Sequence, residues 1–302
     1  MTRVTVTGAT GRIGTRLVAA LKARGDNVTV LSRSPEAARS ALGVEAHAWQ
    51  PESGPAPAAA LAGRDGVVHL AGENPGQRWS DAVKRRMLDS RELGTRNLVE
   101  GLRAADPRPG VLVSASAVGY YGPRADEPVT EDAAPGDDFL AGVCAAWEHE
   151  ADQAEQLGVR VVRVRTGVVL DRGGGALAKM MPFFRLGIGG PVAGGRQYMP
   201  WIHLDDLIGI YLAALAGADW SGPVNATAPA PVTNKEFSRA LGRALRRPAI
   251  APVPKLALRA LYGEMADVVV YGQRAIPKRA EALGYRFAHP ELDEALRSAL
   301  HT

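Results

Sequence analysis

Apolar positions near the start of the chain switch between two periods. Residues 3–7, Arg-Val-Thr-Val-Thr, form a short β-rich run, and Ile13, Leu17, Ala20 and Leu21 then fall at i, i+4, i+7 and i+8, one face of a helix. That helix closes at Lys22-Ala23-Arg24-Gly25, basic residues followed by glycine. A second strand at 28–31 completes a βαβ unit, which demands parallel strands and a right-handed crossover. The alternation continues with strands at 66–72, 111–114 and 159–164 and helices over roughly 80–104 and 139–157. Strands that alternate with helices predict an α/β fold, a Rossmann-like doubly wound parallel sheet.

The regular pattern breaks after residue 170. Gly173-Gly174-Gly175 and Gly187-Ile188-Gly189-Gly190-Pro191 bracket a helical stretch, as loops over a site do. Asp205 and Asp206 are placed to cap a helix through Ala216, and Pro229-Ala230-Pro231 opens a helical, proline-punctuated remainder. The expected division is a dinucleotide-binding domain of residues 1–170 plus about 203–228. A smaller, mainly helical substrate domain takes about 171–202 plus 229–302. No repeat recurs at a fixed period, which excludes a solenoid.

Composition narrows the class. At 302 residues the chain holds one large domain or two smaller ones, and 46% hydrophobic with 23% charged residues is globular rather than disordered or fibrous. A lone cysteine, Cys144, excludes an internal disulfide framework, and six scattered histidines show no zinc-ligand spacing, so no metal is expected. No uncharged stretch reaches the ~18 residues of a membrane span, and the first residues lack signal-peptide architecture; the expectation is a cytoplasmic protein. The net charge of +4 comes mostly from arginines spread along the chain, densest at Lys84-Arg85-Arg86. Such scatter is a solvated surface, so nucleic acid is not an expected partner, whereas a polyanionic small molecule is compatible.

The motif that carries chemistry is Thr7-Gly8-Ala9-Thr10-Gly11-Arg12-Ile13-Gly14, with its glycines between the first strand and first helix. Gly8 permits the turn, Gly11 lets backbone approach a pyrophosphate, Gly14 lets helix pack on sheet, and free N–H groups at the helix start face the anion. At the end of the second strand an acid would select NAD. Ser32-Arg33 stands there instead, a hydroxyl and a guanidinium suited to a 2′-phosphate, so NADP (NADPH) is the expected cofactor, with Arg12 as reinforcement.

These residues resemble the extended branch of the short-chain dehydrogenase/reductase superfamily, which includes UDP-sugar epimerases and NADP-dependent reductases. His69-Leu70-Ala71-Gly72, Gly94-Thr95 with Asn97-Leu98, and Ser114-Ala115-Ser116-Ala117 with Tyr120-Tyr121-Gly122 carry the likeness. More narrowly the chain resembles an atypical subgroup, the epimerase family proteins with a small C-terminal domain of unknown function. Arg78-Trp79, Ser90-Arg91, Asp138-Phe139-Leu140, Trp147-Glu148, Arg165 to Leu170, Met199-Pro200-Trp201-Ile202-His203, Tyr262-Gly263-Glu264 and Gln273-Arg274 carry that likeness over nearly the full length.

The resemblance implies a cofactor held by Gly8, Thr10, Gly11, Arg12, Ile13, Gly14, Ser32, Arg33, Leu70, Ala71, Gly72, Arg91, Ser114 and Thr166. It implies a substrate cleft at Arg78, Trp79, Gln197, Trp201 and His203. The superfamily's Tyr-x-x-x-Lys acid/base pair is missing, because residues 135–155 contain neither tyrosine nor lysine. Ser116 keeps the position of the substrate-binding serine, and Tyr121 is the candidate phenol in place of the missing one. Arg91 stands where sugar epimerases tend to have asparagine. The expected function is an NADP-dependent oxidoreductase or epimerase-like enzyme acting on a small carbonyl or hydroxyl compound, sugar nucleotides included, with a homodimer left open. The alternative is a non-catalytic NADP(H)-binding redox sensor or scaffold.

Overall fold

The structure, a computed structural model, describes residues 1–301. Its first half runs β1 (Arg3–Thr7), α1 (Arg12–Ala23), β2 (Asn27–Ser32), α2 (Pro35–Leu42), β3 (Glu45–Ala48), β4 (Gly66–His69), α3 (Asp81–Ala104), β5 (Val111–Ala117), β6 (Pro128–Val129) and α4 (Phe139–Asp152). Then follow β7 (Arg160–Thr166), β8 (Val168–Leu170), α5 (Gly175–Arg185), β9 (Tyr198–Met199), β10 (Trp201–His203), α6 (Leu204–Ala216) and β11 (Gly222–Ala226). The chain ends with β12 (Val232–Thr233), α7 (Asn234–Leu245), α8 (Lys255–Tyr262), α9 (Ala266–Val270), β13 (Arg274–Ala275), α10 (Lys278–Ala282) and α11 (Leu292–His301).

Seven strands among the described residues form one parallel sheet in the order β11-β7-β5-β4-β1-β2-β3. The order reverses between β1 and β4, and ligands of open α/β sheets bind in the crevice beyond the carboxyl ends at such a point. Alternation along the strands fills both faces. Val4, Val6, Val68, Val113, Val162 and Val164 join Leu17, Leu21, Leu207 and Ile210 of α1 and α6 on one side. Val67, Leu112 and Val161 meet Leu98 and Leu102 of α3 on the other. The doubly wound expectation holds, with a helical C-terminal region. β5 runs on to Ala117, beyond the expected end at 114, because β7 keeps pairing with it as far as Ala117 and Thr166. This extension brings Ser116 to the crevice.

A separate core gathers Leu177, Met181 and Phe184 of α5, Phe237 and Leu241 of α7, and Leu292 and Leu296 of α11 around Trp201. Between α9 and α11 the chain returns to the first half: Ala280 enters the main core, and Ala275 pairs with Val129 in a separate two-stranded ladder. Asp206 anchors this return by accepting from the Ala288 and His289 N–H groups at 2.7 and 3.0 Å. The expected aspartate cap of α6 is replaced: the His203 imidazole accepts from the Asp205 N–H at 3.1 Å, which frees Asp206 for the C-terminal segment.

His69 ties β1, β4 and α3 together. Thr7 Oγ1 accepts from the Leu70 and Ala71 N–H groups, so its proton goes to His69 Nδ1 at 2.7 Å. The neutral imidazole then donates from Nε2 to Thr95 Oγ1 at 3.0 Å. Burial, with the charge of Arg91, pushes the His69 pKa down to about 3. An unfolded histidine takes its proton near the ordinary value of about 6.5, so the contribution of neutral His69 is intact above that pH and is lost as pH falls from there toward 3. The expected slope is up to about 1.4 kcal/mol per pH unit. The stability gap between the wild-type protein and His69→Gln, from urea unfolding at pH 7 and pH 5, should shrink at the lower pH; a constant gap contradicts the assignment.

Candidate active site

The glycine loop occupies the β1 to α1 turn at the switch point. Gly8 has φ +65°, and a Cβ there would lie 2.7 Å from the Leu70 carbonyl carbon, so both conformation and space require glycine. A Cβ on Gly14 would stand 2.4 Å from the Gly8 oxygen, which is how closely helix meets loop. Gly11 is the N-cap of α1, with no side chain capping the first turn and no acid in it, so its N–H groups are open to an anion. Thr10 is exposed beside them and Ile13 packs under the loop on the main core. A cavity of about 320 Å³ opens here, lined by Thr10, Gly11, Arg12, Arg16, Asp171 and Leu204 among others.

At the end of β2, Ser32 Oγ accepts from the Ser34 N–H at 3.1 Å. Arg33 is exposed and, among the described residues, makes no ion pair or side-chain hydrogen bond. Arg12 departs from its expected role. Its guanidinium makes two 2.8 Å bonds to Asp171, beyond β8, and Gly173 and Gly174 pack on it. It straps the loop to the segment after β8 rather than reinforcing Arg33.

On the far side of the crevice Ser116 donates to Glu148 Oε1 at 2.6 Å. Glu148 projects from α4 and is held side-on by Arg165, Nε to Oε1 and Nη2 to Oε2 at 2.8 Å each, with Arg163 Nη1 at 3.4 Å. Arg165 is itself 2% exposed and lies 3.5 Å from the Tyr120 ring centroid. Its Nη1 reaches the Tyr121 hydroxyl at 3.0 Å and the Glu131 carbonyl at 3.1 Å. Tyr121 is the correction this network imposes. It is fully buried, its hydroxyl donates to Asn225 Oδ1 at 2.6 Å, and burial raises its pKa to about 12, so no phenol is presented to a substrate.

Cys144 and Glu148 stand four residues apart on α4, the spacing of the missing tyrosine and lysine. Burial pushes the Cys144 thiol up to about 12, so it is neither nucleophile nor base. Arg91 of α3 lies against Gly72, with Cζ 4.8 Å from the Trp147 ring centroid. Leu70 and Ala71 are fixed through Thr7, while Ser114 is buried in β5 and Thr166 half-buried at the end of β7.

The expected substrate residues divide. Arg78 is exposed and donates to the Ala260 carbonyl at 3.0 Å; Trp79 is half-buried, edge-on to Phe139 at 5.5 Å. Lys179 of α5 meets the Gly76 carbonyl and Lys84 pairs with Glu264, so the segment before α3 lies between α5 and the turn after α8. Trp201 is fully buried in the second core and lines nothing. His203 is 2% exposed, caps α6 and stacks on His289 at 3.8 Å; burial lowers its pKa, and it lines the cavity at the glycine loop. Gln197 is a strut, its amide donating to the Val192 and Val269 carbonyls at 3.1 and 3.0 Å.

A dinucleotide cradle at the switch point, facing a buried serine and carboxylate where an acid/base pair would stand, defines a nucleotide-dependent short-chain dehydrogenase/reductase architecture. Residues 4–225 match the model of the NAD dependent epimerase/dehydratase family, and residues 253–299 match a domain of unknown function, DUF1731. The chain belongs to that epimerase/dehydratase family. An epimerase family protein of Mycobacterium tuberculosis is 45% identical over 296 residues, covering 97% of this chain and 96% of that one. The crystal structure of the human epimerase family protein SDR39U1 with NADPH superimposes with a TM-score of 0.88 at 38% identity, covering 99% of both chains. A nucleoside-diphosphate sugar epimerase from Corynebacterium glutamicum gives a TM-score of 0.80 at 35% identity, over 99% of this chain and 58% of that one. No helix among the described residues is long and apolar enough to cross a membrane.

Replacing Glu148 by Gln leaves the Arg165 charge buried without its counter-ion. The expected loss is about 3–5 kcal/mol in urea unfolding. Glu148→Gln combined with Arg165→Met should lose clearly less than the two single losses added together, since they share one interaction. A single Glu148→Gln loss below about 1 kcal/mol contradicts the pairing.

Proposed function

We propose that the chain binds NADP(H) and transfers hydride between it and the carbinol or carbonyl carbon of a small substrate held at Ser116. The observation that carries the cofactor reading is Arg33: a guanidinium free of protein partners at the end of β2, with no acid there, beside an uncapped α1 whose N–H groups face outward. The NADPH in the human relative's crystal structure supports it. In this reading the N–H groups of Arg12 to Gly14 take the pyrophosphate, and Ser32 with Arg33 takes the 2′-phosphate. Leu70, Ala71 and Gly72 flank the ribose, and Ser114 and Thr166 border the nicotinamide half.

The bound cofactor supplies the hydride chemistry, and the protein supplies orientation. A serine has one proton, and here it is given to Glu148 at 2.6 Å, so Ser116 Oγ faces the crevice with lone pairs only. In the oxidation direction it accepts from a substrate hydroxyl, whose proton leaves through Ser116 to Glu148; in the reduction direction a proton taken up by Glu148 returns along the same path to the carbonyl oxygen. The replacement of tyrosine and lysine by Cys144 and Glu148 favours one further reading, a cofactor-binding sensor, which requires unequal affinity for the oxidised and reduced nucleotides.

Titration by nicotinamide fluorescence tests the cofactor assignment. NADPH should bind at least about tenfold more tightly than NADH, and Arg33→Asp should remove the preference. Equal binding of both nucleotides, unchanged by the substitution, contradicts it.

A further inference from the structure

Arg91 is a half-buried cation for which the described residues supply no anion. Its guanidinium lies over the Trp147 indole and against Gly72, and one of its five N–H donors is used, Nη1 to the Met87 carbonyl at 3.1 Å. The acid nearest in influence, Glu73, lies 3.7 Å from Arg86 and accepts from the Gln77 amide, and the Cys144 thiol stays protonated. Arg160 shows how the protein treats a desolvated arginine whose charge meets no ligand, since the carbonyls of Ala214, Leu215 and Trp220 wrap its guanidinium. The remaining donors of Arg91 are open to the crevice, where a ligand can take them.

The resemblance assigns Arg91 to the cofactor, but the nucleotide brings it no anion. In the binding mode proposed above, its pyrophosphate lies at the glycine loop and its 2′-phosphate at Arg33. The nicotinamide riboside is neutral when reduced and cationic when oxidised, so a bare Arg91 beside it is at best unrewarded. Arg91 and Ser116 also meet the same helix. Arg91 lies over Trp147 of α4, and Ser116 donates to Glu148, the next residue. A group that only donates and a group that only accepts thus meet consecutive residues of one helix at one end of the crevice.

We infer that Arg91 binds a carboxylate of the substrate, and that the molecule taken is a small hydroxy acid or its keto counterpart, its carbinol oxygen at Ser116 and its carboxylate at Arg91. This rests on the hydride-transfer reading and narrows it, since a neutral sugar or aldehyde leaves the guanidinium unanswered. Carboxylate is favoured over phosphate because a planar two-oxygen anion matches the planar fork of a guanidinium that already lies over an aromatic face.

The test uses the full chain saturated with NADPH and titrated with oxamate, oxalate, lactate and inorganic phosphate by calorimetry. Oxamate, oxalate or lactate should bind, and Arg91→Gln should weaken that binding by about tenfold or more while NADPH affinity stays within about twofold. Arg91→Lys, which keeps the charge and loses the fork, should fall between, and serves as the reference if Arg91→Gln does not fold. Three results overturn the proposal: none of the carboxylates binds the wild-type complex, phosphate binds as well as they do, or NADPH affinity falls in step with the probes. If NADPH does not bind the wild-type protein, the cofactor reading fails on its own, and the same titrations on nucleotide-free protein still decide whether Arg91 holds a carboxylate.

Discussion

One buried carboxylate organises the reactive end of this protein. Glu148 sits 3% exposed on α4, and a charge so placed must be met by opposite charge and hydrogen bonds. β7 meets it with Arg163 and Arg165, two residues apart and therefore on one face of the strand, while Val162 and Val164 on the other face complete the main core. Three consequences follow from that pairing. Ser116 is fixed with its proton on Glu148, Tyr121 is held in the interior by Arg165 and Asn225, and the position a superfamily lysine would occupy points inward instead of toward a ribose. Polarity at the crevice is thereby divided between an acceptor at Ser116 and a donor at Arg91.

The cofactor end was legible because its constraints are local. A strand, three spaced glycines and a helix specify the turn, and the residues that end β2 specify its charge, all within 33 positions of one another. The strand and helix alternation carried the doubly wound sheet for the same reason: each element announces itself by its own period. Trp201 was misjudged because its neighbours are distant in sequence. An aromatic looks like a pocket wall until α7 and α11 bury it.

The Glu148 network was missed although a signal existed. Arg163 and Arg165 interrupt an apolar strand destined for the sheet interior, and a charged residue there calls for a buried partner. Cys144 and Glu148 at the spacing of the absent acid/base pair mark where to look for it. What a single sequence does not contain is direction: whether Glu148 faces ribose or Arg165 is decided by how α4 packs beside β5 and β7. Asp206 is a similar case. Its helix-capping role is plausible from spacing alone, and it is displaced only because His203 performs it and residues 288 and 289 return to claim the carboxylate.

The claim that joins these parts is that hydride leaves or enters the cofactor at the crevice bounded by Ser116 and Arg91. Incubating the protein with NADPH deuterated at the transferring position in a metabolite extract, and searching the products by mass spectrometry, tests it most directly. The account predicts deuterium on the carbinol carbon of a product that also carries a carboxylate. NADPH that remains bound and unconsumed, with no deuterium in any product, would contradict it and leave a protein that holds the nucleotide without using it.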